Sequence, residues 1–137
     1  MTDTSFDLSI FLRIETNIAP EDIVNLLNVS PTAIIPKGDH LFAFAGKVNN
    51  NIIIYEKKYR SCQCIGNRIS NFFEEYQEIT NKIDELRKFC FCSLRLSIIS
   101  DYAQIGLSLS PEDLQLLNKF NLPFEISVLS WGGCMNN

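Results

Sequence analysis

Apolar residues recur at every second position near the start of the chain. Phe6, Leu8, Ile10, Leu12 and Ile14 alternate with Asp7, Ser9, Phe11, Arg13 and Glu15. Side chains along a strand point to its two faces in turn, so this spacing predicts a half-buried strand. Pro20-Glu21-Asp22 then opens a short helix, with proline early and acids in the first turn. Ile23, Leu26 and Leu27 form its buried stripe. Asn28-Val29-Ser30-Pro31 ends it, because a residue before proline is pushed out of the helical region. Pro36-Lys37-Gly38-Asp39 reads as a turn. His40 to Val48 and Ile52 to Tyr59 read as two strands joined by Asn49-Asn50-Asn51, since asparagine tolerates the positive φ of hairpin loops.

The longest periodic segment follows. Ile65, Ile69, Phe72, Phe73, Tyr76, Ile79, Ile83, Leu86 and Cys90 step by three and four, as on one face of a long amphipathic helix. Glu78 with Lys82, and Asp84 with Lys88, would support its outer side as i,i+4 pairs. Thr80-Asn81 is its weak point, both residues having modest helix propensity. Alternation returns at Cys92, Leu94, Leu96 and Ile98, and again at Ile105, Leu107 and Leu109, predicting two more strands. Ser110-Pro111-Glu112-Asp113 starts a helix, with serine as N-cap, proline at N1 and an acid at N3 that approximates a capping box. Pro123 ends it, and Phe124, Ile126 and Val128 predict the last strand. Trp131 to Asn137 reads as a loose tail.

The expected order is β-α-β-β-α-β-β-α-β. This is an α+β protein with a mostly antiparallel sheet, two short helices and one long helix, in a single domain over residues 1–137. Pro20-Glu21-Asp22-Ile23 with Leu26-Leu27-Asn28 is echoed by Pro111-Glu112-Asp113-Leu114 with Leu116-Leu117-Asn118. The echo reads either as a duplication or as two unrelated helices that share capping chemistry.

Composition narrows the function. Apolar residues make up 46% of the 137 and charged residues 20%, which is globular. No apolar run approaches a membrane span, and Met1-Thr2-Asp3-Thr4-Ser5 lacks the features of a signal peptide. The expectation is a cytoplasmic protein without a membrane partner. The net charge of −4 argues against nucleic-acid binding and is compatible with a basic protein partner.

Candidate chemistry is sparse. Cys62-Gln63-Cys64 and Cys90-Phe91-Cys92 could bring four thiolates to zinc, but zinc pairs usually have wider spacing. Cys90 and Cys92 also fit the apolar phase of their segments, so no metal or other cofactor is expected. His40, the single histidine, shows no link to any cysteine, and no nucleotide or hydrolase motif is present. An enzyme is therefore not expected. Glu74, Glu75, Glu78, Asp84 and Glu85 crowd the outer face of the long segment, with Lys82 as the one cation among residues 71–85. That face reads either as solvated surface or as a docking surface for a basic partner. Tyr55, Tyr59 and Trp131 could border a small-molecule pocket.

Pro20-Glu21-Asp22-Ile23, Leu26-Leu27, Lys37-Gly38-Asp39, the segment from Ile69 to Leu86, and Leu107 to Leu114 through Phe124 to Val128 together resemble a bacterial family known as domain of unknown function 4279. The chain differs from that pattern in carrying Ile54-Tyr55 where a tryptophan is expected. The resemblance supplies no catalytic residues. Some proteins of this kind sit beside bacterial toxins, so it implies an immunity protein, for example of contact-dependent growth inhibition. Such a protein would bind and neutralise a cognate toxin domain, a basic nuclease being one case, by blocking its active site. Glu74, Glu75, Glu78, Asp84 and Glu85 are the expected contact residues. The alternative is a small-molecule-binding or regulatory domain without catalytic activity.

Overall fold

The alternating segment at the N-terminus becomes the central strand of a sheet that has five strands among the described residues. In the computed structural model, which describes residues 5–39, 48–100 and 107–130, the elements are β1 (Phe6–Thr16), α1 (Pro20–Leu27), β2 (Ala33–Ile35), β3 (Asn51–Cys62), α2 (Arg68–Glu75), α3 (Gln77–Thr80), α4 (Ile83–Leu86), β4 (Phe91–Ser100), α5 (Pro111–Phe120) and β5 (Phe124–Ser130). The sheet order is β2-β3-β1-β4-β5. Even-numbered β1 residues from Phe6 to Ile14 are buried, and they sit in rows with β3 and β4. One such row runs Tyr55–Leu12–Leu94–Phe124. Ile23 and Leu27 of α1, Ile69, Phe72 and Phe73 of α2, Ile79, Ile83, Leu86 and Phe120 complete the same core. Burying apolar rows of a sheet beneath amphipathic helices is what holds the two layers together.

The sheet is mixed rather than mostly antiparallel. β1 pairs antiparallel with β3 and β4, and β2 with β3, but β5 runs parallel to β4. The reason is the connection. Leu107 to Ser110 form no strand and Ile105 lies outside the described residues, so no hairpin partner is described after β4. α5 instead crosses between β4 and β5, and a helical crossover returns the chain in the same direction. β2, only three residues long, was not apparent from the sequence pattern.

The single long helix is also corrected, to three short ones. The helix breaks at Tyr76, with φ −106° and ψ 43°, and at Lys82, with φ −115° and ψ 4°. Tyr76 packs its ring against Tyr55 and Phe72, and its hydroxyl donates to Glu56 O at 3.3 Å. The Thr80 hydroxyl donates to Phe73 O and Tyr76 O, satisfying carbonyls at the break. Three-residue bonds such as Ile79 N–H to Tyr76 O and Lys82 N–H to Ile79 O carry the chain across the breaks. The apolar stripe therefore keeps its spacing although the helix does not continue. Thr80, one of the two residues flagged as weak, is where α3 ends.

Two local features have specific causes. Gly38, at φ 94°, occupies the third position of the Pro36–Asp39 turn, which Asp39 N–H closes on Pro36 O at 3.0 Å. On β3, Ser61 at φ 54° marks a bulge where the Asp7 carboxylate accepts its N–H at 3.1 Å. The extra residue moves Cys62 opposite Phe6 and into the core. The predicted strand residues 40–47 and the tail at 131–137 lie outside the described residues. Among the described residues no helix is long and apolar enough to cross a membrane.

Candidate partner-binding surface

The surface between α2–α3 and α5 is organised by one buried carboxylate. Ser110 caps α5 as expected, its Oγ accepting the Asp113 N–H at 3.1 Å. The Asp113 side chain does not turn back to complete a capping box. It points to α2, where it accepts Ser70 N–H at 3.0 Å, Ile69 N–H at 3.3 Å and the Ser70 hydroxyl. Asn67, at the start of α2, makes no side-chain cap of its own. Asp113 therefore satisfies two of the first N–H groups of α2 from another helix, and its negative charge suits that helix's N-terminus. It is fully buried and fixes the spacing of the two helices.

Between them runs an open groove of about 730 Å³. Its apolar floor includes Phe73 and Phe120, whose ring centroids are 5.2 Å apart, and Leu116. Asn67, Asn71, Glu74 and Gln77 line it from the α2–α3 side, and Glu112, Gln115 and Lys119 from α5. Carboxamides dominate these walls, and Lys119 is the one cation among the lining residues. The sequence reading missed Glu112 and the carboxamides, because nothing local shows that α5 faces α2.

The five expected contact acids differ in their surroundings. Glu74 lines the groove. Glu75 turns to the sheet side and pairs with Lys57 at 2.7 Å, and hydrogen bonding to Glu75 raises the Lys57 pKa. Asp84 stands 3.8 Å from Arg87, a loose exposed pair, rather than with Lys88. Glu78 and Glu85 are exposed and form no ion pair with a described residue. The Lys82 ammonium turns away from Glu78 and donates to Leu26 O.

The cysteine pairs are held apart. Cys62 stands opposite Phe6 and Cys92 opposite Ile14, eight residues along β1. That separation is roughly 27 Å at the usual strand rise. The four thiolates are not brought together, and no group of three or more His, Cys, Asp or Glu among the described residues is placed to hold a metal ion. Burial pushes the Cys92 thiol up to about 12 and raises Cys90 as well. A thiol held protonated is a poor nucleophile. His40 and Trp131 lie outside the described residues. Tyr55 is not a pocket residue. It is buried, its hydroxyl donates to Val29 O at 2.8 Å, and burial raises its pKa to about 12. Tyr59 lies under the Arg68 guanidinium, 4.8 Å from its ring centroid.

The opposite face of the sheet carries two ion pairs among the described residues. Arg13 meets Glu15 at 2.8 Å, and Arg95 bonds Glu125 while lying over the Phe11 ring. The Arg95 hydrogen bond holds the Glu125 carboxyl below its ordinary range.

These features define an α+β protein with helices on one face of a mixed sheet and a polar groove between two of them. A family model matches residues 5–131, and the chain belongs to that family, described as domain of unknown function (DUF4279). No curated protein and no solved structure matches the chain significantly.

Proposed function

We propose that this chain is an immunity protein that binds a cognate bacterial toxin domain and neutralises it by covering its active site. The observation that supports this reading is the groove between α2–α3 and α5. Glu74 and Glu112 stand on its two walls with no ion-pair partner among the described residues. Glu78 and Glu85 are exposed acids of α3 and α4 in the same helical layer. Unneutralised carboxylates beside carboxamides suit a basic protein surface: the charges speed encounter, and the amides offer donors and acceptors to an exposed backbone. A toxin that acts on nucleic acid presents such a surface at its active site.

The test has two stages. Tagged chain captures proteins from its native cells at low salt, and each captured protein is expressed alone and then with the chain. The expected partner arrests growth alone and is rescued by the chain. Its binding weakens in high salt and in the Glu74→Lys and Glu112→Lys variants. Partners without toxicity, or none under conditions where the chain is expressed, would overturn the reading.

A further inference from the structure

The polar wall of the groove on the α2–α3 side is a stripe. Asn67, Asn71, Glu74, Gln77 and Asn81 follow one another at steps of four, three, three and four, and all five are exposed. The stripe crosses the break at Tyr76 as the apolar one does, because three-residue turns keep the spacing. Four of the five carry a carboxamide, and Gln115 on α5 faces them with a fifth. None of these carboxamides hydrogen-bonds a described residue. Each holds a donor and an acceptor on one plane, the same two groups that a peptide unit presents. A step of four along a helix advances about 6 Å. An extended chain repeats its same-side backbone groups every second residue, roughly 6.6 Å apart. Asn67 with Asn71, and Gln77 with Asn81, are therefore nearly in step with successive peptide groups of a strand.

Charge narrows the occupant. Glu112 directly precedes Asp113, which meets Ser70, and Lys119 directly precedes Phe120, which meets Phe73. The Lys119 ammonium lies over the Phe120 ring, 5.4 Å from its centroid, and pairs with no described acid. An acid near one end and a cation near the other disfavour a uniformly basic ligand and suit a segment with one basic side chain. The floor does not suit a sugar. Phe73 and Phe120 are only 4% and 5% exposed, so neither ring opens a face for stacking.

We propose that the groove takes an extended segment of the partner's main chain, hydrogen-bonded along the amide stripe, with a basic side chain of that segment at Glu112. This rests on the groove being the partner-binding surface and adds what it recognises: backbone groups and one cation.

Titration of the isotope-labelled full chain with synthetic peptides, followed by two-dimensional NMR, tests the proposal without the toxin. The probe is a capped hexapeptide of serine and threonine with one lysine. Controls are the same peptide with glutamate for lysine, the same peptide with alternate backbone nitrogens methylated, and maltotriose. The lysine peptide is expected to shift the side-chain amide signals of Asn71, Gln77 and Gln115. Methylation, and the Asn71→Ala and Gln115→Ala variants, are each expected to weaken binding about fivefold. Glu112→Gln is expected to weaken it about threefold at low salt and not at high salt. The spectrum of each free variant confirms its fold. No shift in the groove at millimolar peptide overturns the proposal, as do equal binding of the methylated or glutamate peptide and binding of maltotriose in place of peptide. A toxin that the chain rescues, with no peptide bound in the groove, would sink this inference alone. Peptide binding with no toxin partner would sink the immunity reading and leave this one standing.

Discussion

The Asp113 carboxylate of α5 accepts the backbone N–H and the hydroxyl of Ser70 at the start of α2, 43 residues earlier in the chain. One side chain thus caps a helix it does not belong to and sets one wall of the groove against the other. Asp113→Ala leaves the buried Ile69 N–H and the half-buried Ser70 N–H and hydroxyl without their acceptor. It is expected to lower the unfolding free energy by about 2–3 kcal/mol, measured by urea denaturation. Ser70→Ala is expected to cost about 1 kcal/mol, and the double variant less than the sum of the two. Additive losses would show that the two side chains act independently.

Charge reversal in the groove separates binding from folding. Glu74→Lys and Glu112→Lys remove exposed acids that make no ion pair with a described residue. Glu74→Lys is expected to change stability by less than about 0.5 kcal/mol, and Glu112→Lys, which reverses a charge in the first turn of α5, to lower it by about 1 kcal/mol, while each reduces affinity for a basic partner in a salt-dependent way. Lys57→Met breaks the exposed pair with Glu75 and is expected to leave the urea midpoint nearly unchanged, because an exposed ion pair contributes little.

Alkaline pH should weaken the fold in two steps. The folded state raises the Cys92 pKa from 9.0 to about 12 and the Tyr55 pKa from 10.0 to about 12. Between each pair of values the folded chain keeps a proton that the unfolded chain has lost, so stability falls as pH rises. The contribution is fully present below pH 9 for Cys92 and below pH 10 for Tyr55, and is lost toward pH 12. Urea midpoints measured from pH 8 upward under reducing conditions are expected to decline, less steeply in Cys92→Ala above pH 9 and in Tyr55→Phe above pH 10.

Thiol labelling reads burial directly. Among Cys62, Cys64, Cys90 and Cys92, only Cys64 is exposed. Brief alkylation of the native chain followed by peptide mapping is expected to modify Cys64 first, and Cys62 and Cys92 only once urea unfolds the chain. Early labelling of Cys62 would contradict the bulge at Ser61 that turns it into the core.

The sequence by itself determined the local decisions. Alternation of period two marked β1 and β4, the run after the asparagine loop marked β3, and both Pro-Glu-Asp helices start at their prolines. Gly38 stands in its turn because glycine accepts positive φ without a steric penalty. The repeat of three and four found every buried residue from Ile69 to Leu86. It could not show the breaks at Tyr76 and Lys82, since three-residue turns preserve the stripe while interrupting the helix.

Only the tertiary structure decided which elements meet. Asp113 obeys the capping pattern of α5 through its backbone, yet its carboxylate serves α2. The echo of Pro20-Glu21-Asp22 ends there, because Asp22 is exposed and α1 has no side-chain cap. The parallel placement of β5, the pairing of Glu75 with Lys57 and the separation of the two cysteine pairs share the same cause. Periodicity records which side of an element is buried. What lies against that side depends on contacts between residues far apart in the chain, and no local spacing encodes them.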